Sequence, residues 1–200
     1  LQRQAVAVME KALGPDHVEV ATNLVTLGEI HAAQNEHAKA EPLHKRALAI
    51  RMKALGPDHE LVATSLTDLG TVYFHLGEYG KSEPLLKKSL AIRTKALPAD
   101  HPDLAASLDN LGFLYETVGQ HAKAAALYEQ VVLLRLKRLQ PNHPQVMESM
   151  ASLAASYESQ GLYTQAAGNG SYFGNRFRGA RPASSPVSDD GPAFGLKNLW

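Results

Sequence analysis

Cysteine is absent from the 200-residue sequence, and neither sign of charge is in excess, because 20 basic side chains are balanced by 20 acidic ones. The lack of cysteine excludes disulfides, thiolate zinc sites and cysteine nucleophiles. Balanced charge argues against nucleic acid or an anionic membrane as the main partner, since both require a basic surplus or patch. No apolar run approaches the roughly 18 residues of a membrane span, and the first residues show no charged segment followed by an apolar one, so we expect neither a membrane span nor a signal peptide. We therefore expect a cytoplasmic protein.

One short motif recurs along the chain at a fixed interval. LGPDH occupies 13–17 and 55–59, and the related LPADH and LQPNH occupy 97–101 and 139–143. Successive motifs are 42 residues apart, and so are their histidines, which are His17, His59, His101 and His143. A period of this size indicates a repeat array.

Each repeat contains a helix-forming pattern of shared apolar positions. These positions are three or four residues apart, which places them on one face of an α-helix. The columns are Leu24, Leu66, Leu108 and Met150; Leu27, Leu69, Leu111 and Leu153; and His31, Tyr73, Tyr115 and Tyr157. A small residue on the same stripe lets a neighbouring helix approach closely; it is Gly28, Gly70, Gly112 or Ala154.

A second helix is predicted to complete a hairpin in each repeat. The first helix should end at residues that accept a left-handed backbone, which are Asn35, Gly77, Gly119 and Gly161. The second should begin near residue 39, 81 or 123. That start places Pro42 and Pro84 in the first turn, where a missing N–H loses no partner.

The recurring motif itself is predicted to be a corner that ends one helix and begins the next. Three of its residues suit the N-cap position, namely Asp16, Asp100 and Asn142. Glu19, Asp103 and Gln145 follow three residues later, as in a capping box.

The predicted organisation follows from these boundaries. It comprises the second helix of a truncated repeat at 1–13, complete repeats at 14–55, 56–97 and 98–139, a partial repeat at 140–167, and a Gly/Pro/Ser-rich, mostly disordered tail at 168–200. Because the first 13 residues match the second half of later repeats, we expect the chain to be a fragment.

The hairpins resemble tetratricopeptide repeats. Leu108, Leu111, Gly112 and Tyr115 match the first half of that pattern, with leucine in place of tryptophan. The 42-residue period and the stretch AEPLHKRALAIRMKALGPDH further resemble the repeats of kinesin light chains and of nephrocystin-3-type arrays, over residues 1–167. The resemblance implies an all-α fold, a right-handed α-solenoid of helical hairpins.

The resemblance also implies a binding surface, because the first helices of a tetratricopeptide solenoid line its concave groove. Groove-facing positions vary between repeats while packing positions stay constant. The predicted peptide-binding residues are Thr22, Val25, Glu29, Thr64, Thr67, Thr71, Phe74, Ala106, Asp109, Phe113, Glu116, Glu148, Ala151 and Glu158.

Kinesin light chains hold extended cargo peptides that carry tryptophan and acidic residues, so the resemblance implies a peptide ligand and a non-enzymatic scaffold. Their characteristic pair of asparagines is kept only in part, at Asn110 and as Asp68. The C-terminal half of the groove would repel an acidic peptide, which favours a basic or mixed one; the acidic residues there are Asp109, Glu116, Glu148 and Glu158. A carboxylate clamp is not expected, since the groove columns contain no lysine.

No catalytic residue, cofactor or metal is expected. The corner histidines lie one repeat apart, on the order of 10 Å, which is too far for shared coordination at about 2 Å. No phosphate loop or nucleophile elbow occurs. The cations that crowd the second helices, Arg93 and Arg135 among them, are interpreted as a solvated outer face.

Other possibilities remain open from the sequence. The chain could be a regulatory or sensor array of a larger signalling ATPase. It could also self-associate through its last helix, whose stripe of Met150, Leu153 and Tyr157 is expected to lack a full partner. A third hypothesis places the tail in a groove as a pseudo-ligand, through Asp189, Asp190, Phe194, Leu196, Leu199 and Trp200.

Overall fold

The computed structural model describes residues 2–162, and these residues form eight α-helices and no strand. The helices are α1 Gln2–Leu13, α2 Val18–Ala33, α3 His37–Leu55, α4 Glu60–His75, α5 Tyr79–Ala96, α6 Pro102–Thr117, α7 His121–Leu136 and α8 Pro144–Ser159. Two compact units divide the chain within α6: the N-terminal unit ends at Leu114 and the C-terminal unit begins at Tyr115. The predicted tail at 168–200 lies outside the described residues.

The corner motif joins consecutive helices as predicted, but its N-cap is the histidine and not the residue before it. The Nδ1 atoms of His17, His59 and His143 accept the backbone N–H two residues later, at 3.2, 3.1 and 3.3 Å. His101 makes the same contact with Asp103 at 3.2 Å. The prediction that Asp16, Asp100 and Asn142 are the caps is therefore wrong. An imidazole with an unprotonated Nδ1 offers the acceptor that a helix start needs.

The first helices end where the sequence predicts. Asn35, Gly77, Gly119 and Gly161 all have positive φ, between 58° and 75°. At each end the next residue bonds back to the helix, as Glu78 N does to Tyr73 O at 2.9 Å. This is the Schellman arrangement, which satisfies carbonyls that the last turn leaves free.

The second helices begin two residues earlier than predicted, at His37, Tyr79 and His121. Pro42 and Pro84 consequently lie inside their helices and not in the first turn. Each proline removes the N–H that the carbonyl four residues earlier would accept. Both of those carbonyls belong to solvent-exposed residues, Ala38 and Gly80, where water can replace the lost partner.

The predicted packing columns form the core of both units. Their leucines on α2, α4 and α6 are between 2% and 8% exposed. In the C-terminal unit, Met150 and Leu153 are each 3% exposed and pack beside α7 residues such as Tyr128. The expectation that Met150 and Leu153 lack a full partner is wrong, because both are buried in one cluster with α7 residues.

Candidate peptide-binding surface

Buried arginines connect consecutive hairpins in the N-terminal unit. Arg51 on α3 is 4% exposed, and its Nη1 donates to Ser65 Oγ on α4 at 2.8 Å. Arg93 on α5 is 8% exposed and donates to Ser107 Oγ on α6 at 2.7 Å, with a longer contact to Thr67 Oγ1 at 3.4 Å. Each guanidinium therefore ties a second helix to the first helix of the next hairpin.

The C-terminal unit contains an equivalent contact. Arg135 donates to Ser149 Oγ and to the Gln145 carbonyl at 2.9 Å. The interpretation of these arginines as solvated cations is wrong for Arg93, which is buried. The sequence did contain the signal, since arginine and serine both recur every 42 residues and are 14 residues apart each time.

Asp68 on α4 interacts with both buried arginines of the N-terminal unit. Burial raises the pKa of its carboxyl to about 6, the Glu29 charge adds to the rise, and Arg51 and Arg93 oppose it. Within residues 2–162, Asp68 Oδ2 and the Nε atoms of both arginines are buried without a hydrogen-bond partner. The carboxylate thus compensates the two guanidiniums electrostatically and not through a direct hydrogen bond.

Five aromatic rings of the N-terminal unit are joined by contacts centred on Phe74, and we call them the aromatic run: Phe113, Phe74, Tyr79, His75 and His37. The Phe74 ring lies 5.1 Å from Phe113, 5.4 Å from Tyr79 and 5.5 Å from His75. His75 stacks on His37 at 4.5 Å. Burial and the neighbouring His75 lower the pKa of His37, so its ring is uncharged at neutral pH. Within the run, Phe113 is 57% exposed.

Charge is segregated between the two kinds of helix. Each first helix (α2, α4, α6, α8) carries two or three acidic side chains and no lysine or arginine. The second helices α3 and α5 each carry five Lys or Arg residues and a single glutamate. The zero net charge of the whole chain conceals this difference.

The predicted groove residues of the N-terminal unit differ in accessibility. The exposed ones are Thr22, Glu29, Ala106 and Phe113, and the half-buried ones are Thr64, Thr67, Thr71, Phe74 and Asp109. Val25 is 8% exposed and belongs to the core cluster with Leu24, so its side chain presents little surface to a ligand. The structure brings Phe74 and Phe113 into contact, although they come from different sequence columns.

In the C-terminal unit, Glu148, Ala151 and Glu158 are exposed. Glu116 is half-buried, and its carboxylate accepts hydrogen bonds from His121 Nδ1 at 2.8 Å and Ser156 Oγ at 2.6 Å. Those contacts fix Glu116 within its own unit, so that its carboxylate is less available to a ligand than the other three positions.

Within 2–162, no three His, Asp or Glu side chains converge as a metal site would require. None of the described helices is both long and apolar enough to cross a bilayer.

Comparison with known proteins identifies the family. The tetratricopeptide repeat model matches residues 1–53, 36–95, 61–137 and 105–169. The chain belongs to the tetratricopeptide repeat family. Its repeats are of the kinesin light chain-like kind, and the predicted all-α tetratricopeptide fold class is confirmed.

Solved tetratricopeptide structures resemble the chain. A putative kinesin light chain with nearly identical TPR-like repeats from Podosopora anserina is 28% identical, has a TM-score of 0.73, and is aligned over 90% of this chain and 83% of its own. BtubC (BKLC) from P. vanneervenii is 17% identical, with a TM-score of 0.73 and coverage of 96% and 79%. MamA protein is 21% identical, with a TM-score of 0.61 and coverage of 92% and 86%. The last two support the fold alone. No curated protein sequence matches significantly.

Proposed function

We propose that the protein is a non-enzymatic scaffold that binds extended peptide segments of partner or cargo proteins on the surface formed by its first helices. A tetratricopeptide fold is that of a protein–protein interaction scaffold. The single observation that carries the proposal is the contrast in burial along α2, α4 and α6. Packing columns such as Leu24 and Leu66 are 2% exposed, whereas the columns that vary between repeats include exposed positions such as Thr22 and Ala106.

Repetition explains why this contrast points to recognition. A solenoid repeat contacts only its neighbours, so its packing positions are held constant. Positions that do not pack are free to differ from one repeat to the next, and a row of differing side chains can distinguish the successive residues of an extended ligand. An extended chain advances about 3.3 Å per residue. Helices pack 8–10 Å apart, so each first helix would meet roughly three ligand residues.

The test is a peptide-array screen with the full chain. The screen is repeated with two single variants, in which an exposed alanine of a first helix or of a second helix is changed to arginine. Ala106→Arg places a long cation on the proposed surface, whereas Ala91→Arg places it on the exposed side of α5. Both positions are helical and exposed, so both variants should remain folded.

We expect Ala106→Arg to reduce binding of the selected peptides about tenfold or more, since it blocks their path, and Ala91→Arg to leave it unchanged. Equal effects of the two variants, or no effect of either, would count against the proposed surface.

A further inference from the structure

The aromatic run gives the N-terminal unit an exposed apolar edge. Phe113 is a large aromatic side chain with 57% of its surface exposed, and it contacts the half-buried Phe74 ring. The Tyr79 ring also contacts the Phe74 ring, with 5.4 Å between their centroids. Such an edge favours an aromatic or large apolar side chain of a partner, because aromatic pairs at these distances add to the burial of apolar area.

The first helices of the N-terminal unit carry charge of one sign. Exposed Glu19, Glu29 and Glu60 lie on α2 and α4, and half-buried Asp109 lies one turn before Phe113 on α6. These helices contribute no lysine or arginine.

Two cations that the second helices contribute to this unit are buried. Arg51 and Arg93 are at most 8% exposed, and each donates to a serine hydroxyl. They also oppose the charge of Asp68. The charge that α2, α4 and α6 themselves offer to a partner is therefore negative.

We propose that the segment bound by the N-terminal unit is a basic peptide with one aromatic or large apolar side chain, an inference that rests on the proposed function. The apolar side chain covers Phe113 and Phe74, and the flanking Lys or Arg residues pair with Glu29 and Asp109. Complementary charge of this kind accelerates association and excludes acidic partners. The surface therefore selects against peptides that combine an aromatic residue with acidic ones.

The test uses the full chain and three labelled ten-residue peptides in fluorescence anisotropy. The first alternates lysine and serine around a central tryptophan. In the second, glutamate replaces every lysine; in the third, alanine replaces the tryptophan. We expect the first to bind about tenfold or more tightly than either of the others, and its affinity to fall as salt is raised, because screening weakens exposed charge pairs.

Two variants and their matched controls assign the contacts. Phe113→Ala should weaken the first peptide about tenfold and leave the alanine peptide unchanged, as expected for a central aromatic contact. Glu29→Gln combined with Asp109→Asn should weaken the first peptide and reduce its salt dependence. Val8→Ala, at an apolar side chain that is 65% exposed on α1, and Asp58→Asn, at an exposed corner, should have no effect.

The outcomes separate this inference from the proposed function. Tighter binding of the glutamate peptide that Ala106→Arg abolishes would overturn the inference and support the proposed function. The inference would also be overturned if the affinity of the basic peptide were unchanged both by Phe113→Ala and by Glu29→Gln combined with Asp109→Asn. If, in addition, Ala106→Arg left the affinities of all three peptides unchanged, the result would count against both the inference and the proposed function.

Discussion

The α2–α3 and α4–α5 hairpins occupy equivalent places in the repeat yet differ where their two helices approach each other. A Cβ atom added to Gly28 would lie 2.5 Å from His44 Nε2, whereas one added to Gly70 would lie 2.9 Å from Leu86 Cδ2. His44 is 2% exposed, and its Nδ1 is buried without a hydrogen-bond partner in the described part of the chain. In both hairpins the two helices therefore approach closely at a glycine, and the side chain that packs against this glycine can be polar, as His44 is, or apolar, as Leu86 is.

The junctions that precede the two hairpins differ in the same way. Arg51 and Ser65 form a buried polar contact before α4. One period earlier, the corresponding positions are Met9, which packs against the α1–α2 core, and Asn23, whose Nδ2 donates to the carbonyl of Glu19 in its own helix at 3.0 Å. At equivalent positions of the repeat, the contact between consecutive hairpins can thus be made by an apolar residue, as with Met9, or by a charged one, as with Arg51. Mutations can establish what each contributes.

The largest expected effect comes from truncating the charged junction. Arg51→Ala should lower the free energy of unfolding by about 3 kcal/mol. The change removes the donor to the Ser65 hydroxyl, and it removes one of the two positive charges that compensate the Asp68 carboxylate. Arg51→Met, which copies the Met9 junction, should cost less because the side chain still fills the space. Urea denaturation at pH 7 measures both.

Arg46→Ala is the control for that experiment. Arg46 lies five residues earlier on the same helix, its side chain is 43% exposed, and it pairs with Glu10 at 2.5 Å. Surface pairs contribute about 1 kcal/mol or less. A loss with Arg46→Ala equal to that with Arg51→Ala would show that burial of the guanidinium is not what makes the junction strong.

The second effect concerns the carboxylate that the α4–α5 hairpin places near both arginines. Since the folded-state pKa of Asp68 is raised to about 6 from 3.8, the folded protein binds this proton more tightly than the unfolded chain does. The ionised form therefore destabilises the fold at pH 7, and the penalty disappears as pH falls from about 6 towards 4. Asp68→Asn should raise stability at pH 7 by on the order of 2 kcal/mol.

The pH series provides the decisive measurement for Asp68. The gain from Asp68→Asn should shrink between pH 6 and pH 4, whereas Glu60→Gln, at an exposed acid on the same helix, should give no comparable trend. A gain that stays constant or grows on acidification would mean that Asp68 stabilises the two arginines more than its own burial costs.

The third experiment addresses the close approach directly. Gly28→Ala should cost about 2 kcal/mol and Gly70→Ala about 1 kcal/mol, since overpacking a buried contact costs 1–3 kcal/mol. The contact at Gly70 is with the end of the flexible Leu86 side chain, whereas at Gly28 three atoms of the planar His44 ring lie between 2.5 and 2.9 Å from the added Cβ. Thermal or urea unfolding of both variants gives the comparison.

A double variant sharpens the Gly28 result. His44→Leu introduces the residue that the next hairpin uses, so Gly28→Ala combined with His44→Leu should lose less stability than the sum of the two single changes. Additive losses, or equal losses for Gly28→Ala and Gly70→Ala, would contradict the role assigned to the histidine ring.

The sequence predicted these hairpins well because their determinants repeat. One apolar column recurs with a single spacing, and the positive-φ residues after each first helix recur with it, so four copies of one pattern reinforce each other; the column is Leu24, Leu66, Leu108 and Met150. The second-helix starts were predicted two residues too late, because the prolines suggested a position in the first turn. That position is unnecessary, since the carbonyls that lose a partner belong to exposed residues and can bind water. The Phe74–Phe113 contact could not be predicted from periodicity, because these residues occupy different columns and meet only through packing between helices.

The smallest expected effect lies at the corner, where the two hairpins are alike. His59 Nδ1 accepts the Leu61 N–H at 3.1 Å at the start of α4, as His17 does at the start of α2. His59→Ala should cost about 1 kcal/mol, the usual contribution of an N-cap, and His59→Asn should retain most of it. The adjacent Asp58→Ala should change stability little, because Asp58 is not the cap. Urea denaturation measures both variants. A larger loss of stability with Asp58→Ala than with His59→Ala would identify Asp58 as the N-cap, and the recurrence of the corner histidine would then have no structural explanation.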